Sequence, residues 1–206
     1  MEEQLKSGLH SLGLNHEHHP CSAYLSYVEL LIKWNRAYNL TAIKDPEQML
    51  HRHILDSLSV LSFIKGSHCL DVGTGPGLPG LILALALPET QWILLDSNQK
   101  KVRFLRHVKA ELVINNIEIV QSRIEDYQPD KKLDTIICRA FAPLTRILEQ
   151  TEHLISGDNQ LLAMKGKHIT EEIHELGQHN FLIEVENLPV IDEDKSANLV
   201  RIRRTN

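Results

Sequence analysis

Cysteine is scarce in this chain of 206 residues: Cys21, Cys69 and Cys138 stand far apart, and no Cys-x-x-Cys pair occurs. An odd, scattered set of thiols suits a reducing cytoplasm. Long apolar runs are missing too. The longest, Leu78 to Leu87, is roughly half of the ~18 residues a membrane helix needs, and Pro79 interrupts it. The opening Met1-Glu2-Glu3-Gln4-Leu5-Lys6 has no apolar core of the signal-peptide kind, so export is not expected. Nor is there a basic excess: 22 Lys and Arg against 27 Asp and Glu give a net charge of −5. That argues against a generic nucleic-acid coat and leaves room for a local basic patch. Protonation of the twelve histidines would reverse the sign, so the net charge depends on pH. His16, His18, His19, His51 and His53 invite a metal reading, but zinc wants converging ligands and no cysteine stands at finger spacing, so no metal is expected. Repeats, low-complexity tracts and long linkers are absent. With 42% hydrophobic and 24% charged residues, the chain reads as one ordinary globular domain with an extension.

Residues 1–66 read as an N-terminal helical extension packed on a core of residues 67–206. Leu25, Val28, Leu31 and Ile32 mark one face of an amphipathic helix ending near Asn39. Asp45-Pro46 supplies an N-cap and a proline at the first helical position, and Leu50, Ile54, Leu58 and Leu61 continue one face until Gly66. From His68 onward, short apolar runs alternate with helix-period segments, as a parallel sheet with crossover helices requires. Strands are predicted over 68–72, 91–95, 117–120, 133–138 and 160–164. Helices are predicted from the glycine-rich turn to Leu87, from Asp96 to about Val113, and from Pro143 to Ile155. Phe181 to Leu188 and Asn198 to Arg203 read as a closing antiparallel hairpin.

The segment Leu70-Asp71-Val72-Gly73-Thr74-Gly75-Pro76-Gly77-Leu78-Pro79-Gly80 lies between a strand and a helix. Its glycines permit a tight turn and close ligand approach. Read loosely, they also satisfy a dinucleotide fingerprint, so a nucleotide-dependent oxidoreductase has to be weighed. Asp71 separates the two readings. A carboxylate beside the loop would repel a pyrophosphate and favour a ligand carrying an ammonium and a sulfonium, as S-adenosylmethionine does. The bland alternative is an N-cap or a solvated turn residue. Asp96, about twenty residues beyond the turn, is placed to accept ribose hydroxyls of either ligand. Gln121-Ser122-Arg123-Ile124-Glu125-Asp126 follows the third strand, where Ile124 could pack on an adenine and Glu125 meet its edge.

The end of the fourth strand, where this fold handles its acceptor, reads Ile137-Cys138-Arg139-Ala140-Phe141-Ala142-Pro143. It lacks the Asn or Asp, two prolines and aromatic that an exocyclic amine acceptor calls for. Cys138 is the sole candidate nucleophile for pyrimidine C5, and alternation makes it as good a core residue. Guanine N7 owns a free lone pair and needs alignment and exclusion of water in place of a base.

The chain resembles the ribosomal RNA small subunit methyltransferase G family, also called glucose-inhibited division protein B, along nearly its whole length. The matching stretches are Lys33-Trp34-Asn35, Tyr38-Asn39-Leu40-Thr41, Arg52-His53-Ile54-Leu55-Asp56-Ser57, the glycine turn from Asp71 to Gly80, Leu95-Asp96-Ser97, Gln121-Ser122-Arg123 and Arg139-Ala140-Phe141-Ala142. It departs from the usual pattern at Cys138 and Asn98, where serine and leucine are common. The resemblance implies a Rossmann-like class I S-adenosylmethionine-dependent methyltransferase with a mostly parallel seven-stranded sheet, an antiparallel C-terminal hairpin and an N-terminal helical cap. It implies N7 methylation of a guanosine in 16S ribosomal RNA, with Gly73, Leu78, Ile124, Glu125 and Arg139 at the cofactor; the residue argument adds Asp71, Gly75 and Asp96.

Lys100, Lys101, Arg103, Arg106 and Lys109 fall in one helix with no acid between Ser97 and Ala110. Lys100, Arg103, Arg106 and His107 share a face opposite Val102, Leu105 and Leu112. This stripe is the best phosphate-binding candidate, with Arg52, Arg123, Arg139 and Lys165 near the sheet's carboxyl end. Lys165 reads equally as a surface lysine. The expected partner is 16S ribosomal RNA or the small ribosomal subunit, met by a cytoplasmic monomer with no membrane contact. The rivals are the oxidoreductase and a noncatalytic RNA-binding module.

Overall fold

Apolar residues alternate along five short segments so that each buries side chains on both faces, and these segments form the parallel part of one sheet. The computed structural model describes residues 1–139, 142–166, 169–176, 180–189 and 197–205. The strands are β1 (His68–Val72), β2 (Gln91–Leu95), β3 (Ile117–Val120), β4 (Thr135–Arg139), β5 (Gln160–Lys165), β6 (Phe181–Asn187) and β7 (Asn198–Arg204), in the order β3-β2-β1-β4-β5-β7-β6. β1 to β5 run parallel, and β7 lies antiparallel between β5 and β6. Val72 is in register with Leu95 on one side and Cys138 on the other. The carboxyl ends of β1, β2 and β4 therefore finish level. The strand order reverses at β1, which is where open α/β sheets place their ligands.

Cys69, Leu94, Ile137 and Leu162 point to one face, covered by α5 (Gly80–Ala86), α6 (Gln99–Glu111) and the N-terminal helices. Leu70, Val72, Ile136 and Ala163 point to the other, covered by α7 (Leu144–Thr151) and α8 (Ile169–Glu175). The N-terminal segment comprises α1 (Glu2–Ser11), α2 (Cys21–Tyr38), α3 (Pro46–Met49) and α4 (Asp56–Leu58). Its Leu5, Leu9, Tyr24, Leu31 and Leu55 belong to the same apolar cluster as Leu81 and Phe104.

Asn39 takes a left-handed conformation and ends α2 as predicted, and the Asp45 side chain accepts from the Gln48 N–H to start α3. The expected single amphipathic helix after Asp45 is instead interrupted. Leu50–Leu55 forms a π-helical turn, which brings His53, Ile54 and Leu55 inward together. Ser57 donates its hydroxyl to the His53 carbonyl within this turn. The fourth strand begins at Thr135, later than predicted. Asp134 ahead of it accepts from the Ser67 and His68 N–H groups at 2.8 and 3.0 Å, pinning the start of β1.

Because helical segment and sheet share one core, Leu31→Ala should lower the stability of the whole chain by about 3 kcal/mol. Far-ultraviolet dichroism and intrinsic fluorescence should report one common denaturation midpoint, shifted together.

Candidate active site

The glycine-rich turn is organised around a buried charge. Asp71 is fully enclosed, and its Oδ2 accepts from the Thr74 hydroxyl at 2.6 Å and the Gly80 N–H at 2.7 Å. A Cβ at Gly80 would stand 2.6 Å from the Asp71 Cβ, so glycine is required there. Gly77, at φ +105°, makes the positive-φ bend. Burial pushes the Asp71 carboxyl up to about 7 against the opposing pull of Thr74, Gly80 and Arg139. Its Oδ1 is buried without a partner.

A cleft of about 360 Å³ opens at the carboxyl edge of the sheet, within the usual range for small-molecule sites. Gly73, Asp96, Ile124 and Glu125 line it, together with Ser97, Lys101, Arg123, Arg146 and Gln150. Asp96 Oδ2 accepts from the Gly75 N–H at 2.9 Å and meets Lys101 Nζ at 3.4 Å, while Oδ1 accepts from the Asn98 N–H at 2.8 Å. A carboxylate offers about four lone-pair positions, so with these three contacts some acceptor capacity remains on a residue that lines the cleft. Asn98, one of the two departures from the family pattern, caps α6 by accepting from the Lys100 N–H at 2.9 Å. Glu125 is exposed and takes a hydrogen bond from Gln150. Its own backbone N–H, with Gln150, Arg123 and Arg146, holds its carboxyl below the ordinary range.

Asp71, Gly75, Leu78 and Arg139 stand behind this lining. Asp71, which the sequence reading points at a bound cation, turns its buried carboxylate inward and clasps its own loop. Gly75 acts through its N–H on Asp96, and Leu78 is buried beneath the loop. Arg139 ends β4 and donates to the Arg52 carbonyl at 2.7 Å. Burial lowers the Arg139 pKa, countered by Asp56, Tyr27 and Asp71. Arg52 in turn pairs with Asp56 at 3.4 Å.

The scattered signature stretches meet here. Asn35 and Thr41 exchange hydrogen bonds at 2.9 and 3.0 Å, and the Thr41 hydroxyl meets His53 Nε2 at 3.0 Å. Burial first, then Arg139, pushes His53 down to about 4, leaving the ring neutral. Tyr27 donates to the Pro76 carbonyl at 3.0 Å and ties α2 to the glycine loop. Sequence reading passed over Tyr27, Arg146 and Gln150; the last two stand four apart on α7, beside its apolar face of Leu144, Ile147 and Leu148, which was their only signal.

Of the two readings of Cys138, the core one holds: it is buried, and burial pushes its thiol up to about 12. One expectation is corrected. Lys165 is neither a free phosphate contact nor a surface lysine. It pairs with Glu172 at 2.6 Å and donates to the Ala142 carbonyl at 2.9 Å, while Glu172 also accepts from the Leu144 N–H. Lys100, Arg103 and Arg106 are exposed on α6, and Arg123 is exposed at the cleft. Ala140 and Phe141, in the expected acceptor-handling turn, lie outside the described residues. Among the described residues no set of three His, Cys, Asp or Glu gathers as a metal site, and no helix is long and apolar enough to cross a membrane.

The loop also shows which ligand it suits. The N–H groups of Thr74, Gly75, Gly77, Leu78 and Gly80 are committed to Leu95, Asp96, Thr74, Thr74 and Asp71 in turn. A pyrophosphate wants such donors free. The lining sets Asp96 and Glu125 against Lys101, Arg123 and Arg146, so its net charge selects no ligand, while the apolar Ile124 and the carboxylate of Asp96 suit a nucleoside.

This sheet order, with its cleft at the switch point, is the Rossmann-like fold of class I methyltransferases. The fold is shared with a SAM-dependent methyltransferase from Aquifex aeolicus (TM-score 0.59, 15% identity, 80% of this chain and 96% of that one). It is shared too with a precorrin-6y C5,15-methyltransferase from Geobacter metallireducens GS-15 (TM-score 0.56, 14% identity, 82% and 92%). Within that class, the rRNA small subunit methyltransferase G (GidB) family model matches residues 21–200, and the chain belongs to this family. Relatives named ribosomal RNA small subunit methyltransferase G include those of Legionella pneumophila strain Philadelphia 1, 47% identical over 85% of this chain and 84% of that one, and Idiomarina loihiensis, 43% identical over 99% of both.

Two outcomes follow from the geometry. Asp71 has a folded pKa of about 7 against about 3.9 unfolded, so the folded state holds the extra proton between these values. Wild type should therefore lose stability relative to Asp71→Asn as pH rises from about 4 to about 7, read from urea midpoints. Lys165→Ala should cost about 2 kcal/mol in the same assay, without changing how RNA affinity depends on salt.

Proposed function

We propose that this chain transfers the methyl group of S-adenosylmethionine to N7 of a guanosine in 16S ribosomal RNA. The observation that carries the reading is the likeness to ribosomal RNA small subunit methyltransferase G relatives across as much as 99% of the chain. S-adenosylmethionine, when bound, supplies an electrophilic methyl on a sulfonium. Asp96 would hold the ribose hydroxyls with its remaining acceptor capacity, Ile124 the adenine face and Glu125 its edge, while Gly73 admits the ligand to the main chain. Asp71, Gly75, Leu78 and Arg139 support these groups from behind by fixing the loop and the end of β4.

Guanine N7 carries an in-plane lone pair and no proton. The chain's task is then alignment and exclusion of water. This accords with a cleft whose described lining holds neither histidine nor cysteine. An A-form duplex hides its major groove, so the guanosine has to be presented from a loop or drawn out of the stack. Lys100, Arg103, Arg106 and Arg123 offer exposed positive charge for the flanking phosphates, and Arg52 is paired with Asp56. Small-subunit RNA as substrate supports a cytoplasmic site.

The test is labelled methyl transfer to naked 16S RNA and to small-subunit particles, with the product mapped by cleavage at the modified base. Incorporation at a single guanosine is expected; none at saturating cofactor would leave a noncatalytic RNA-binding module. Arg106→Glu should weaken RNA binding and flatten its salt dependence while S-adenosylmethionine affinity stays unchanged, as a salt titration and equilibrium dialysis would show.

A further inference from the structure

Three aromatic rings form a ladder on the outside of the α2–α6 contact. Trp34 lies 5.2 Å from Tyr38 at an interplanar angle of 31°, and 5.1 Å from His107 at 34°. Both are tilted stacking distances. Phe104, 5.7 Å away at 59°, braces Trp34 from below. The brace is buried, as are Tyr24, Tyr27 and Trp92, but Trp34, Tyr38 and His107 are each only half-buried.

The ladder borders the basic stripe. Lys100, Arg103 and His107 are spaced i, i+3 and i+7, and so share one helix face. Lys100 and Arg103 are exposed, and Glu111 lies 4.0 Å from His107. Lys101, next to Lys100, lines the cleft, and His107 lies six residues further along α6, about 9 Å along the helix axis. Part-exposed rings beside exposed cations, near a reaction cleft, have the make-up of a surface for unpaired nucleic acid. Phosphates meet the cations, and bases of any sequence meet the rings.

We propose that Tyr38, Trp34 and His107, bordered by Lys100 and Arg103, form a stacking platform for unpaired bases of the RNA strand that carries the target guanosine. This rests on the RNA reading given above. The platform holds the single strand flanking the guanosine, so that the base drawn toward the cleft comes from an already anchored, unpaired segment. A duplex has no free base faces to offer it.

The chain has two tryptophans, and Trp92 is 1% exposed with its indole N–H on Thr90, so a change of emission on adding RNA reports Trp34. The full chain, without cofactor, is titrated with a mixed-sequence ten-nucleotide single-stranded RNA and separately with its duplex. Saturable quenching by the single strand and little by the duplex are expected. By filter binding of labelled single strand, Trp34→Leu should weaken affinity about tenfold, and Tyr38→Leu by several-fold, with S-adenosylmethionine affinity unchanged in both. If Trp34→Leu loses its fold by dichroism, Tyr38→Leu at the rim of the ladder decides. The platform is overturned by absence of single-strand binding, by unchanged emission at saturation, by equal quenching with duplex, or by full affinity in Tyr38→Leu. Quenching that persists where methyl transfer fails would support the platform and reject the enzymatic reading alone.

Discussion

A carboxylate enclosed in protein has to be neutralised or fully answered by donors, and Asp71 sets that demand at the centre of this structure. Thr74 and Gly80 answer one of its oxygens, and the short approach excludes any side chain at Gly80. The same folding of the loop sends the Gly75 N–H to Asp96, joining the ends of β1 and β2. The cofactor loop is thus assembled by the chain itself, with its N–H groups spent internally. Five of its N–H groups, from Thr74 to Gly80, are thereby withdrawn from any ligand.

The helical segment before β1 takes part in the same construction. Its apolar side chains share a cluster with α5, α6 and one face of the sheet. Its polar ones form a run of contacts from Asn35 through Thr41 to His53, and from Asp56 through Arg52 to Arg139 at the end of β4. The π-helical turn makes this run feasible by bringing His53 inward beside Ile54 and Leu55. A neutral His53 near the Arg139 guanidinium avoids placing two buried positive charges together.

Much of this was legible in the sequence. Strand positions followed from short apolar runs and their turn residues, and the glycine turn, Asp96 and the Ile124 loop announced the ends of β1, β2 and β3. Periodicity does not reveal the direction of a side chain once a loop closes on itself, so the sequence points Asp71 at the ligand whereas the carboxylate clasps the loop. Lys165 differs for a related reason: its partner Glu172 lies on a helix whose placement is set by tertiary packing. The π-helical turn likewise answers to burial of His53 and not to local propensity. Trp34 and His107 are far apart in the chain, and only the crossing of α2 over α6 makes them neighbours.

The antiparallel β7 comes last in chain order among the strands and lies between β5 and β6. The earlier strand β6 therefore has no sheet neighbour until β7 has been inserted beside β5. During synthesis, Phe181–Asn187 must wait with both backbone edges unpaired, a state prone to wrong association. Loss of the final segment would detach two strands at once, so completion of the sheet depends on the arrival of the chain's last described residues.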